Sequence, residues 1–194
     1  MENLRHDERV AVARLHALLE LLPTALDRHL ASTGLTSFEF TLLEALHEAE
    51  ARRLRLSALA SRTNATLPRL SRVVTGLERK GLVERVACEA DGRATNAVLT
   101  AAGELAYERS KPLHDQGVRE MILDGLGDEG VARLAELSYA ILTRLDPERR
   151  LAVMADAPDT AGTANAPPNE CPADPKAAVL PAPMGGISLL TSAI

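Results

Sequence analysis

The sequence predicts a mainly α-helical protein with one short β-hairpin, and three observations point there. Apolar residues recur at helical spacing through most of residues 5–145, as Leu67, Leu70, Val73, Val74 and Leu77 do in "LPRLSRVVTGLERKGLVERV". One stretch instead alternates and is rich in β-branched residues. "LVERVACE", "ADGR" and "ATNAVLT" read as two strands around a tight turn, between Leu82 and Thr100. From Pro147 the composition changes: eight of the 11 prolines fall there, with no aromatic residue, so residues 147–194 are expected to form a disordered tail. The folded domain is therefore placed at 1–146.

Arg5 to about Ala31 carries Leu15, Leu18, Leu19, Leu22, Leu26 and Leu30 on one stripe, so a long helix is expected. Pro23 removes a backbone donor inside it and predicts a kink or break. Gly34 supplies a stop, and Thr36 or Ser37 starts a second helix running to about Glu50. "LRLSALASRT" opens a short third helix with Ser57 as its N-cap. Asn64 to Thr66 turns the chain into the fourth helix, capped by Thr66, with Pro68 in its first turn, where a missing N–H costs little. The basic pair Arg79-Lys80 followed by Gly81 ends it. Beyond the hairpin, two more helices are expected, Ala101 to about Leu123 and Asp128 to about Leu145. In the last, Val131, Leu134, Ser138, Ile141 and Leu145 fall at alternating three- and four-residue intervals, a spacing suited to a partner helix; Leu137 and Leu142 widen the stripe.

The chain as a whole is acidic, at a formal −5, which on its own discourages a nucleic-acid target. The distribution reverses this. From Arg55 to Leu99 eight Lys/Arg face four Asp/Glu, a local +4 that leaves −9 for the rest. An acidic frame around a basic middle suits a local DNA-reading module. The polar start "MENLRHDERV" offers no secretory segment, and no apolar run is long enough to span a bilayer, so a cytoplasmic location without membrane is expected. Two isolated cysteines, Cys88 and Cys171, give no disulfide framework and read as free thiols.

Two short helices followed by a two-stranded hairpin make a winged helix-turn-helix, flanked here by further helices on both sides. In such a unit the second helix enters the major groove of double-stranded DNA. With Leu70 at the centre of the buried face, Pro68, Arg72, Thr75 and Arg79 lie opposite, flanked by Arg69, Ser71 and Gly76. Arg72 and Arg69 are the strongest base-reading candidates, since a guanidinium bonds guanine O6 and N7 together, worth about 1–3 kcal/mol of discrimination. Ser57 and Thr66, at helix N-termini, are candidates for phosphates. Arg93, at the hairpin tip after Asp91-Gly92, is a candidate for a narrow minor groove. The plainer alternatives are solvated arginines, ordinary caps and a simple turn.

Leu54 to Gly103 resembles the DNA-binding core of the MarR family of bacterial transcription regulators. The matching pieces are "L-x-x-S-x-L-A", "S-R-x-V-x-x-L-E-x-x-G-L-V-x-R", the wing "D-x-R" and "L-T-x-x-G". The resemblance implies six helices with a wing between the fourth and fifth, and homodimers formed through the outer helices. It also implies palindromic operators, and DNA affinity that many members lose when a small phenolic or oxidised ligand binds between dimer helices and DNA-binding lobes. Arg72 matches the family's recognition-helix arginine, and Asp91 and Arg93 its wing pair. Gly76 departs from the larger polar residue usual there, at a cost of about 1 kcal/mol in helix propensity. The DNA-binding lobe is placed at about 36–100 and the dimerisation helices at about 4–32 and 101–146. Leu15, Phe38 and Phe40 are candidates for an effector pocket, with core packing as the alternative.

Nothing points to an enzyme: there is no nucleophile elbow, phosphate loop or HExxH. No cofactor is expected, and no metal, because the five histidines show no ligand spacing and a pocket of His29, His47 and Glu44 rests on proximity alone. The competing readings are a winged helix that holds a protein partner and a ligand-binding module without specific DNA binding.

Overall fold

The computed structural model describes residues 3–88 and 91–148, with the backbone alone at 91–93, so the expected tail lies outside the described residues except for Pro147 and Glu148. Asp7 and Glu8 in the first turn of α1 (His6–Leu30) and Arg28 and His29 in its last complement the helix dipole. Of the kink or break expected at Pro23, a break does not occur: α1 is one helix of 25 residues. Pro23 is exposed, so the carbonyl that loses its helical donor can be solvated. Thr36 then caps α2 (Ser37–His47) in a reciprocal box with Glu39, whose carboxylate accepts from Thr36 N at 2.9 Å. Asp27 ties α1 to α2 by accepting from the backbone and the hydroxyl of Ser37 at 2.7 and 2.6 Å.

α2 stops at His47 rather than near Glu50, because the backbone turns extended at Ala49 (ψ 149°) before passing through left-handed conformations at Ala51 and Arg52 (φ 50° and 54°). It then forms a strand that the sequence reading did not anticipate, β1 (Arg53–Arg55), too short to display alternation. α3 (Leu56–Arg62) follows at once, so Arg55 occupies the cap position and Ser57 lies inside the first turn, not at the N-cap. α4 (Leu67–Arg79) begins after Thr66 and carries Pro68 in its first turn as expected, although the Thr66 side chain makes no capping hydrogen bond.

β2 (Val83–Cys88) and β3 (Asp91–Leu99) form the hairpin, and β1 joins it in an antiparallel sheet of order β1-β3-β2. Cys88 pairs with Asp91, so Asp91, Gly92 and Arg93 open the strand instead of forming the turn; the register slips between Ala87 and Cys88 to accommodate them. Thr100 caps α5 (Ala101–Val118), accepting from Gly103 N at 3.0 Å while donating to the Gly81 carbonyl at 2.7 Å. A Cβ on Gly103 would stand 2.1 Å from the Leu82 carbonyl oxygen, so only glycine lets α5 seat against the lobe. These two contacts explain the "L-T-x-x-G" spacing. A turn of π-helix extends α5 to Leu123, and α6 (Gly127–Leu145) completes the described chain.

The core lies within the lobe, where Phe40, Leu42, Leu43, Leu46, Leu59, Leu70, Val74, Leu77 and Val83 are buried. α1 contributes only Leu30 to it, and α6 no buried residue. Leu18, Leu19 and Leu21 of α1 and Leu137 and Leu145 of α6 are 58–73% exposed, so their own chain leaves both apolar stripes uncovered. Cys88 is buried and disulfide-bonded, against the free thiol expected from sequence, because spacing along the chain does not report proximity; Cys171 lies outside the described residues.

Candidate nucleic-acid interface

One turn after another, α4 presents three different faces. Leu70, Val74 and Leu77 enter the core. Ser71, Thr75 and Glu78, spaced by four and three residues, form a second stripe and face β2. Pro68, Arg69, Arg72 and Arg79 make up the third face and are exposed. Local sequence explains this division. Leucine and valine at i, i+3, i+4 and i+7 fix the buried side, and the basic residues take what remains.

The Arg72 Nε donates to the Pro68 carbonyl at 3.3 Å, which lays the side chain back along its own helix on the exposed face. Arg69 is held differently, its guanidinium 4.3 Å from the centre of the Phe38 ring of α2. Thr66 is exposed at the start of α4, where unpaired N–H groups of the first turn point outward. Ser57 is exposed in the first turn of α3. The backbone of Asp91 and Arg93 lies in β3, and their side chains lie outside the described residues.

Three other basic residues of the middle region are committed to internal partners. Arg62 pairs with Glu48 at 3.1 Å. Lys80 joins the C-terminus of α4 to α2 by binding Glu39 at 2.8 Å and the Gly34 carbonyl at 2.9 Å. Arg85 of β2 reaches Ser71, Thr75 and Glu78 together, and the sequence reading missed it as a site residue. A seven-residue separation from Glu78 across a glycine gives no periodic signal; only the packing of strand on helix does. Glu78 is the one acidic residue of α4, so this pairing leaves the exposed side of the helix to cations.

The three effector candidates occupy three different settings. Phe40 is wholly buried, its ring stacked 4.0 Å from His114 and 5.4 Å from Tyr107. Phe38 lies half-buried beneath Arg69. Leu15 is exposed on α1, away from the core cluster that holds Phe40. The His47 ring lies tilted 4.4 Å from that of Tyr107, and its Nδ1 is 2.8 Å from Glu104 of α5, which also accepts from Arg52 at 3.1 Å. Burial, with Glu44 nearby, raises the Tyr107 phenol above its ordinary value and keeps it neutral. His29 packs against Gly117 instead of His47, and no group of three or more potential metal ligands forms among the described residues.

Residues 33–94 match the sequence profile described as the MarR family. AbsC, a MarR family transcriptional regulator from Streptomyces coelicolor, is 32% identical, with a TM-score of 0.72 over 76% of this chain and 99% of that one. Sco3205, a MarR family transcriptional regulator from the same organism solved in complex with DNA, is 33% identical, with a TM-score of 0.73 over 77% and 97% of the two chains. The HTH-type transcriptional repressor YetL of Bacillus subtilis (strain 168) is 29% identical over 104 residues, so the chain spans 62% of that curated relative's length.

Proposed function

This chain belongs to the MarR family of transcription regulators, and from that premise we propose that it is a homodimeric repressor that binds an inverted-repeat operator and releases it on binding an effector. Residues 36–100 serve as the DNA-binding lobe, and 4–32 with 101–146 as the dimerisation helices. α4 enters the major groove. Arg72 and Arg69 read guanines from its exposed face and Pro68 lines the approach, while Ser71 and Thr75 are turned toward β2 and engaged by Arg85. Ser57 and Thr66 hold phosphates at the first turns of α3 and α4. Asp91 and Arg93 carry the wing into the adjacent minor groove. The observation that carries this reading is the exposed ridge of Arg69, Arg72 and Arg79 on a helix whose single acid is already paired. The DNA complex of Sco3205, a relative at 33% identity, supports it.

The uncovered leucines of α1 and α6 support a dimer. In that dimer the two recognition helices stand about 34–36 Å apart on one DNA face, and that spacing requires an inverted repeat. The repressor assignment draws on the similarity to YetL, a transcriptional repressor. The effector is a small phenolic or other aromatic molecule bound between the dimer helices and the lobe; of the three candidates, half-buried Phe38 is the one placed to meet it, since Phe40 is wholly buried and Leu15 lies outside the core cluster. The effector acts only through its differential affinity for the DNA-competent and released arrangements. No helix among the described residues is long and apolar enough to cross a membrane, and a DNA target places the protein in the cytoplasm.

Fluorescence polarisation on duplex DNA from upstream of its own gene tests the reading. Tight binding that beats a scrambled duplex and falls with a log–log salt slope of about −0.9 per phosphate contact is expected. Absence of binding at low salt overturns it in favour of a winged helix that holds a protein partner.

A further inference from the structure

We propose that Arg85 is the positioning residue that fixes the recognition helix relative to the wing, and so sets whether both reach their grooves at once. The inference rests on the DNA-binding reading above. Arg85 lies in β2, opposite Ala97 of the central strand β3, and its side chain crosses to α4. There its Nη2 donates to the Ser71 carbonyl at 2.8 Å and to Ser71 Oγ at 3.2 Å. Its Nη1 donates to Thr75 Oγ1 at 3.0 Å and also binds the Glu78 carboxylate. One planar fork thus grips three residues over two turns of the helix. A lysine ammonium, a single point charge, cannot span them.

The link adds a polar side-chain tie to backbone and apolar ones: Leu82 N donates to the Leu77 carbonyl at 3.0 Å, and Leu77 and Val83 share the core. α4 ends at Arg79 and β2 starts at Val83. Between them Gly81, at φ +71°, closes the helix, its N–H donating to the Glu78 carbonyl at 2.9 Å. Further along the strand the Arg85–Glu78 pair is an effective tie, because its side chains are only 25% and 29% exposed and are less screened by water than a surface pair. It also divides labour on the helix. The Thr75 hydroxyl donates to the Ser71 carbonyl at 3.0 Å and accepts from Arg85, so it is withdrawn from base reading, while Arg72 stays exposed. With its charge matched by Glu78, Arg85 adds nothing to phosphate attraction.

The test compares the full-length protein with its Arg85→Lys and Glu78→Gln variants on an operator fragment, by polarisation at two salt concentrations and by hydroxyl-radical footprinting. Arg85→Lys is expected to weaken operator binding about tenfold while the salt slope stays unchanged. Protection of the minor groove by the wing should be lost, and protection of the major-groove segment under α4 retained. Glu78→Gln, which keeps the side chain's shape and weakens the hold on Arg85, should give the same selective loss to a smaller degree, and it carries the test should Arg85→Lys misfold. Wild-type affinity with an intact wing footprint in both variants overturns the inference. So does a salt slope in Arg85→Lys reduced by about 0.9, which would make Arg85 a phosphate contact. A footprint that fades uniformly in step with thermal stability also overturns it, because Arg85 would then act on folding alone. Failure of the wild-type protein to prefer the operator is a separate result and removes the DNA-binding reading itself.

Discussion

The lobe and the outer helices use the same residue, leucine, to opposite ends. Leu42, Leu43, Leu46, Leu59, Leu70 and Leu77 are fully buried by their own chain, while Leu18, Leu19, Leu21, Leu134, Leu137 and Leu145 are 41–73% exposed. Both sets fall at helical spacing, so periodicity marks an apolar face and says nothing of what covers it. The lobe is closed by α2, α3, α4 and the sheet within one chain. α1 and α6 leave their stripes available to a second copy, where burying them yields roughly 25 cal/mol per Å². The lobe is therefore packed by its own chain, and association is the role proposed for the outer helices.

The largest effect that sharpens this contrast is in the lobe. Leu43→Ala should cost about 2–5 kcal/mol of unfolding free energy, read by denaturant titration, because the packed site cannot collapse around the lost methyls. A double change of Leu18→Glu and Leu137→Glu should leave the lobe folded by circular dichroism and weaken self-association by about 2 kcal/mol or more, read by sedimentation. If that pair unfolds the lobe instead, the two regions are not separable. Arg72→Ala should lose about 1–3 kcal/mol of operator affinity with no change in thermal midpoint; unchanged binding removes Arg72 from the interface. Thr36→Ala, which opens the capping box of α2, should lower stability by about 1 kcal/mol.

The smallest effect belongs to the outer helices. The Lys111–Asp115 pair spans 3.0 Å on an exposed face of α5 and is worth about 0.3–0.5 kcal/mol in a double-mutant cycle. The hydrogen bond from Lys111 holds the Asp115 carboxyl below its ordinary value. The same bond raises the Lys111 ammonium above its own. The contribution is therefore fully present between about pH 5 and 9. It is lost as pH falls through the lowered Asp115 value or rises through the raised Lys111 value. A coupling energy equal at pH 3 and pH 7 would show that the ion pair contributes nothing.

The parts of the fold that were legible in sequence share strong local signals. α4 has Pro68 in its first turn, four regular apolar positions and Gly81 at its end, and the structure returns the same helix. β1 was not legible because three residues cannot display alternation, and its pairing with Val98, Ala97 and Asn96 is a long-range fact. That missed strand also carried the misplacement of Ser57, since pairing through Arg55 makes Arg55 the cap. At the candidate interface, the outward arginines followed from the helical wheel. Which polar residues are already engaged did not: Thr75 and Ser71 looked free for DNA until Arg85 arrived from another element. Pro23 shows the limit of a local rule: it removes one hydrogen bond from α1, and the helix continues through it on an exposed face.

The most direct test of the division between self-sufficient lobe and partner-dependent outer helices is the affinity of the full chain for a complete inverted repeat and for the same duplex with one half-site scrambled. Two lobes joined by α1 and α6 predict that scrambling one half-site weakens binding at least about tenfold and lowers the salt slope, because one lobe's phosphate contacts are lost. Equal affinity and equal slope on the two duplexes would contradict the account, because a single lobe would then be acting alone.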